Sequence, residues 1–64
     1  MRQNRRLKAA RVLRGMTQLQ LAERIGLKEI DLSRFETGRS CPCPETRKHI
    51  AEVLDISVEE LFES

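Results

Sequence analysis

Gly26 constrains the fold most, because it separates two short stretches that each repeat apolar residues at helical spacing. Before it, Leu21, Ala22 and Ile25 share one stripe; after it, Leu32 and Phe35 do, with Glu36 beside them. Thr17 and Gln20 have the spacing of a capping box, in which each side chain satisfies the other's backbone N–H, so the first stretch starts as a helix at Thr17. A glycine just past the last apolar position can take the left-handed backbone that ends a helix and reverses the chain. Gly38 closes the second stretch for the same reason. Thr17 to Gly38 therefore reads as two short helices joined by a tight turn.

The rest of the chain follows the same grammar. A first helix runs from about Gln3 to Arg14, with Leu7, Ala10 and Arg11 on its inner stripe and Gly15 as its stop. The helix after Gly26 spans about Lys28 to Thr37, and residues 39–43 form a loop. Pro44 suits the first position of a fourth helix, which extends to about Leu54. Ser57 and Glu60 make a second capping box that opens a last short helix through Phe62. There is no convincing strand and no repeat. A chain of 64 residues buries only about 60% of the surface its unfolded form exposes, which leaves room for one domain over residues 1–64 and none for a deep substrate cavity. The expected fold is all-α, a compact five-helix domain with a helix-turn-helix formed by helices two and three.

Composition narrows the function. Aromatics are 3% of the chain, with no Trp or Tyr, which leaves few stacking platforms for single-stranded nucleic acid. Six cations and no acid precede Gly15 (Arg2, Arg5, Arg6, Lys8, Arg11, Arg14), whereas Glu45, Glu52, Asp55, Glu59, Glu60 and Glu63 crowd the far end. One end is thus expected to meet phosphates while the other is repelled by them; the competing reading is an ordinary solvated helix face. Apolar runs of two or three residues predict no membrane span, and the arginine-bearing N-terminus has no apolar stretch behind it, so a cytoplasmic protein is expected. One His, no glycine-rich phosphate loop and no nucleophile set beside a base and an acid argue against an enzyme, a small-molecule substrate or a cofactor. Cys41, Cys43 and His49 offer three soft ligands, but a zinc site normally shows two ligand pairs. Two free thiols in a loop and no metal are therefore expected, a metal or redox switch being the alternative.

The third helix separates into two faces when turned about 100° per residue from Leu32. Phe35 and Glu36 fall beside Leu32, and Ile30 and Arg34 lie opposite, with Ser33 and Thr37 along the edge. The outer ridge fits the major groove of double-stranded DNA. Arg34 can grip guanine N7 and O6, Ile30 can rest on a thymine methyl, and Glu29 can accept from a cytosine amino group. Lys28 is better placed for phosphate. Glu29 and Asp31 oppose this reading, since acids in a first turn also simply favour the helix dipole. Glu36, beside the core, needs a partner, and Arg11 on the inward stripe of the first helix supplies one: a structural salt bridge between them is expected.

These residues resemble a known family. Leu7, Arg11, Gly15, Met16, Thr17, Gln18, Leu21, Ala22, Ile25 and Gly26, then Leu32, Ser33, Arg34, Phe35, Glu36 and Gly38, look like the Cro and phage-repressor type of helix-turn-helix. Pro42, Glu45, Thr46, Ile50, Ala51, Leu54, Ser57, Val58, Leu61 and Phe62 continue the resemblance. It implies a five-helix DNA-binding transcriptional regulator, usually a dimer. It implies phosphate contacts from Gln18, Thr37 and Arg39, to which Arg14 and Thr17 are added, and base reading by Lys28, Glu29, Ile30 and Arg34, to which Ser33 at the ridge's edge is added. The Arg and Glu of the first and third helices pair in the family, in agreement with Arg11 and Glu36. The chain departs from the pattern at Lys28, where a small polar cap is usual, at Glu29 and Asp31, at Thr37 in place of Asn, and at Pro44 and Arg47, which stand where Leu is common and predict a less fully packed fourth helix. Val12 and Leu19 are apolar where the family is polar.

Two functions from different classes are consistent with these features. One is a sequence-specific regulator, a homodimer whose interface uses Ile56, Val58 and Phe62, on a near-palindromic operator. The other is a partner-binding or antitoxin-like module of the same fold, with Ile30, Leu19 and the acids facing a protein.

Overall fold

The computed structural model describes residues 4–62. The described residues form five helices and no strand: α1 Arg5–Leu13, α2 Gln18–Arg24, α3 Glu29–Thr37, α4 Pro44–Leu54 and α5 Val58–Phe62. Asn4 caps α1, its side-chain oxygen accepting from the Leu7 N–H at 3.0 Å. The helix therefore begins later than periodicity alone suggests, and the expected start at Gln3 lies outside the described residues. Arg14 is the residue that ends α1 rather than a member of it.

Every helix contributes a fully buried aliphatic to one core: Leu7, Leu21, Leu32, Ile50 with Leu54, and Leu61. Burying each such side chain favours folding by roughly 1.5–3 kcal/mol relative to exposure, the main reason these short helices hold together. Helix α2 packs on α3, α1 on both α3 and α5, and α4 on α5. The first helix is thus the bridge between the α2–α3 pair and the C-terminal helices.

The first four helices stop by one device. Gly15, Gly26, Gly38 and Asp55 all have positive φ, and the next N–H returns to a carbonyl five residues back. These bonds are Met16 to Arg11 at 3.2 Å, Leu27 to Ala22 at 2.8 Å, Arg39 to Arg34 at 2.9 Å and Ile56 to Ala51 at 3.1 Å. At Gly26 this geometry is what turns α2 into α3. Asp55 does the same without being glycine (φ 55°), in a region that aspartate tolerates better than most residues. Arg14 supports it: Nε donates to the Leu54 carbonyl at 3.0 Å and Nη2 lies 3.3 Å from the Asp55 carboxylate. A cation here meets the unsatisfied carbonyls and negative dipole end of α4.

Candidate nucleic-acid interface

The interface is built outward from the start of α2. Both arms of the expected capping box are present: Thr17 Oγ1 accepts from the Gln20 N–H at 3.0 Å, and Gln20 Oε1 accepts from the Thr17 N–H at 2.9 Å. The chain then turns at Gly26, half-buried Leu27 packs on the core, and Lys28 enters α3 with extended backbone. A lysine side chain has no acceptor with which to cap a helix. Asp31 takes over that role, its carboxylate accepting from the Lys28 N–H at 3.3 Å. One of the two acids that opposed a DNA-facing ridge is therefore turned back onto the start of its own helix. Glu29 remains exposed.

The ridge itself presents Ile30, which is 54% exposed, and Arg34, also exposed, opposite buried Leu32 and Glu36. Ser33 is half-buried at its edge. Thr37 is exposed, but its hydroxyl donates back to the Ser33 carbonyl at 2.9 Å and lies 3.3 Å from that of Arg34. A phosphate oxygen needs a donor, so contact from Thr37 would require this hydroxyl to turn outward. Arg39 is exposed immediately beyond Gly38.

Glu36 gathers three elements at the inner side of α3. Arg11 Nε donates to Glu36 Oε2 at 2.7 Å and its Nη2 to Oε1 at 3.3 Å, with both side chains buried. Arg11 Nη1 continues to the Met16 carbonyl at 2.7 Å, and Gln18 Nε2 donates to Glu36 Oε1 at 3.0 Å. The Glu36 backbone carbonyl accepts from the Asn4 N–H at 2.8 Å. A charge pair buried with this many bonds is costly to break from one side. Gln18 is held at the edge of the ridge by it, and its amide keeps a second N–H for a ligand.

Arg14 does not join this group. Its guanidinium sits on the end of α4, held by the Leu54 carbonyl and the Asp55 carboxylate. The charge asymmetry of the sequence is corrected in the same way. Arg11 is buried against Glu36, and Arg6 Nη1 donates to the Glu60 carbonyl at 3.3 Å. The basic helix α1 lies against acidic α5 instead of at an opposite pole; Arg2 and Glu63 lie outside the described residues.

With this geometry in place, the family model described as helix-turn-helix matches residues 7–61. The chain belongs to the helix-turn-helix family of the Cro and phage-repressor type. Among solved structures it is similar to the restriction-modification controller protein C.AhdI from Aeromonas hydrophila. The match has a TM-score of 0.84 and 30% identity, over 92% of this chain and 89% of that one. Among curated proteins it is 38% identical over 45 residues to the cryptic phage CTXphi transcriptional repressor RstR of Vibrio cholerae serotype O1. That match takes in 70% of this chain and 40% of the repressor, so the chain spans well under half the length of that relative.

For a helix-turn-helix protein, three residues here carry roles that reading the sequence missed. Asp31 stands three residues after Lys28, the capping-box spacing, and could have been found from it. Asn4, three before Leu7, is a strong N-cap type and was equally legible. Arg47 had no such signal. It is half-buried, donates Nε to the Pro42 carbonyl at 2.9 Å and Nη2 to Cys41 Sγ at 3.2 Å, and lies 5.7 Å from the centre of the Phe62 ring. Where the family often has Leu, the chain thus uses a cation both to cover an aromatic and to fasten the α3–α4 loop. Cys41, Cys43 and His49 are exposed, and the described residues contain no group of three His, Cys, Asp or Glu placed to hold a metal.

Proposed function

We propose that this chain is a sequence-specific double-stranded DNA-binding transcriptional regulator, acting in the cytoplasm as a homodimer on a near-palindromic operator. The observation that carries the reading is the exposed ridge of Ile30 and Arg34 on α3, presented by the tight α2–α3 turn and flanked by exposed Arg39. Arg34, Ile30, Glu29 and, at the margins, Lys28 and Ser33 read base edges; Thr17, Gln18 and Arg39 hold phosphates, and Thr37 joins them once its hydroxyl turns. Both similar proteins bear on this: one is a transcriptional repressor and the other a restriction-modification controller. Among the described residues no helix is long and apolar enough to cross a membrane.

In the dimer, two α3 helices enter major grooves about one helical turn, roughly 34 Å, apart. Half-buried Ile56, Val58 and Phe62 lie at the C-terminal end, and the first two line a groove of about 430 Å³ between α4 and α5. They supply the interface in this reading. Selection from random duplexes tests the whole proposal. An enriched near-palindrome is expected, and Arg34→Ala should lose about 1–3 kcal/mol of discrimination at one base pair in each half-site.

The second reading is a partner-binding module. It is favoured by the exposure of Leu13 (86%), Val12 (57%) and Leu19 (48%), apolar side chains that face solvent around the α1–α2 junction. Enrichment of no duplex by the intact chain would select it over the first.

A further inference from the structure

The loop between α3 and α4 carries two thiols that the DNA reading does not use. Cys41 and Cys43 are both exposed and both reduced, and each is held by a different group. Cys43 is the N-cap residue of α4, directly before Pro44, and its Sγ lies 3.2 Å from Thr46 Oγ1. Cys41 Sγ accepts from Arg47 Nη2 at 3.2 Å. One thiol thus faces a hydroxyl at the start of a helix and the other a guanidinium. The Thr46 hydroxyl, followed by the Thr46 backbone N–H, holds the Cys43 thiol below its ordinary range, against an opposing effect of desolvation and the Glu45 charge. The thiolate is the nucleophilic form of cysteine, and a nearby second thiol traps the first oxidation product as a disulfide before it is oxidised further.

We propose that Cys41 and Cys43 form a peroxide-reactive thiol pair in which Cys43 reacts first and Cys41 resolves it. The Cys43 thiolate attacks a peroxide oxygen. The S–O bond forms as the O–O bond breaks, hydroxide or alkoxide leaves, and the sulfur is oxidised by two electrons to sulfenic acid while the peroxide is reduced. Cys41 then attacks the Cys43 sulfur; the S–S bond forms, the S–O bond breaks, and the departing hydroxide takes the Cys41 proton as water. A disulfide needs a restricted separation and dihedral, and Pro42 between the two residues stiffens the segment. Closing the ring turns the Cys41 sulfur toward Cys43 and so away from Arg47 Nη2, the contact that holds this end of the loop on α4. Oxidation therefore releases the segment that follows Arg39 from its clamp on α4 and Phe62. On the DNA reading proposed above, this withdraws a phosphate contact and weakens operator binding.

The chemistry is tested on the reduced chain without DNA. Alkylation by iodoacetamide, mapped by peptide mass, should modify Cys43 faster than Cys41; Thr46→Val should abolish the difference and Thr46→Ser should keep it. Dilute hydrogen peroxide should remove the mass of two hydrogens from the monomer. In Cys41→Ser it should instead give a sulfenic acid at Cys43 that dimedone captures, and Cys43→Ser should consume peroxide more slowly. Equal alkylation of the two thiols, no loss of two hydrogens, or a bridge only between two chains would each overturn the pair. Oxidised protein should then bind the selected duplex more weakly, recover with dithiothreitol, and lose this sensitivity in the Cys41→Ser, Cys43→Ser double variant. Unchanged affinity on oxidation would overturn the coupling. Failure of the reduced protein to select any duplex would sink the DNA reading and leave the thiol result standing.

Discussion

Helices α2 and α3 end with the same backbone turn but are fastened in opposite ways. After Gly26 the next residue is Leu27, half-buried on the core; after Gly38 it is Arg39, exposed. Helices α1 and α4 follow the α2 pattern, with Met16 and Ile56 packed on the core after Gly15 and Asp55. At the end of α3 the fastening has moved back to Glu36, whose carboxylate takes Arg11 and Gln18 and whose carbonyl takes the Asn4 N–H. The residue after the stop is released from holding the fold. The left-handed turn is a backbone property, and the side chain just beyond it is matched to its surroundings: core in three cases, and in our proposal phosphate in the fourth.

Four substitutions probe that contrast, in descending order of expected cost. Glu36→Ala leaves Arg11 buried without its charge partner and should lower unfolding stability by about 3–5 kcal/mol in urea titration. Replacing both Arg11 and Glu36 by aliphatics should recover much of that loss; if the double variant is as unstable as the single one, the pair is not what fastens α3. Leu27→Ala removes a half-buried anchor and should cost roughly 1–2 kcal/mol by the same measurement, less than the 2–5 typical of fully buried leucines. Asp55→Gly relieves a left-handed non-glycine residue but loses an exposed ion pair with Arg14 worth about 0–1 kcal/mol, so melting should rise slightly or stay level. Arg39→Ala should change stability by no more than about 0.5 kcal/mol. In the same variant the salt dependence of duplex binding should flatten by about one phosphate contact, a change that filter binding over a salt series would read.

Local chemistry made most of the fold legible. The glycine stops, the Thr17–Gln20 box and Pro44 at the first position of α4 act within a few residues, so all five helices could be read from the chain. The α4 stop at Asp55 was harder, because a left-handed aspartate has no sequence signature as clear as glycine. The ridge of α3 was legible by the same periodicity, as was the pairing of Arg11 with Glu36. Arg14 and Arg6 were not. Their partners, the end of α4 and the Glu60 carbonyl, lie forty or more residues away, and only the packing of α1 on α5 brings them near. Arg47 fails for the same reason, since its aromatic partner Phe62 is on another helix. Charge counted along a chain overstates what a ligand can reach when tertiary contacts take up part of it.

The reach of Arg6 to Glu60 bears on how the chain could be rewired. It ties the first turn of α1 to the middle of α5, and the two helices pack on each other. A short linker could join them, and exposed Ser40, between α3 and α4, offers the kind of loop tip at which circular permutation succeeds. The permuted chain would run α4, α5, α1, α2, α3. The helix that carries Ile30 and Arg34 would then finish the polypeptide, where its outer face could be varied while Leu32, Phe35 and Glu36 keep its place on the core.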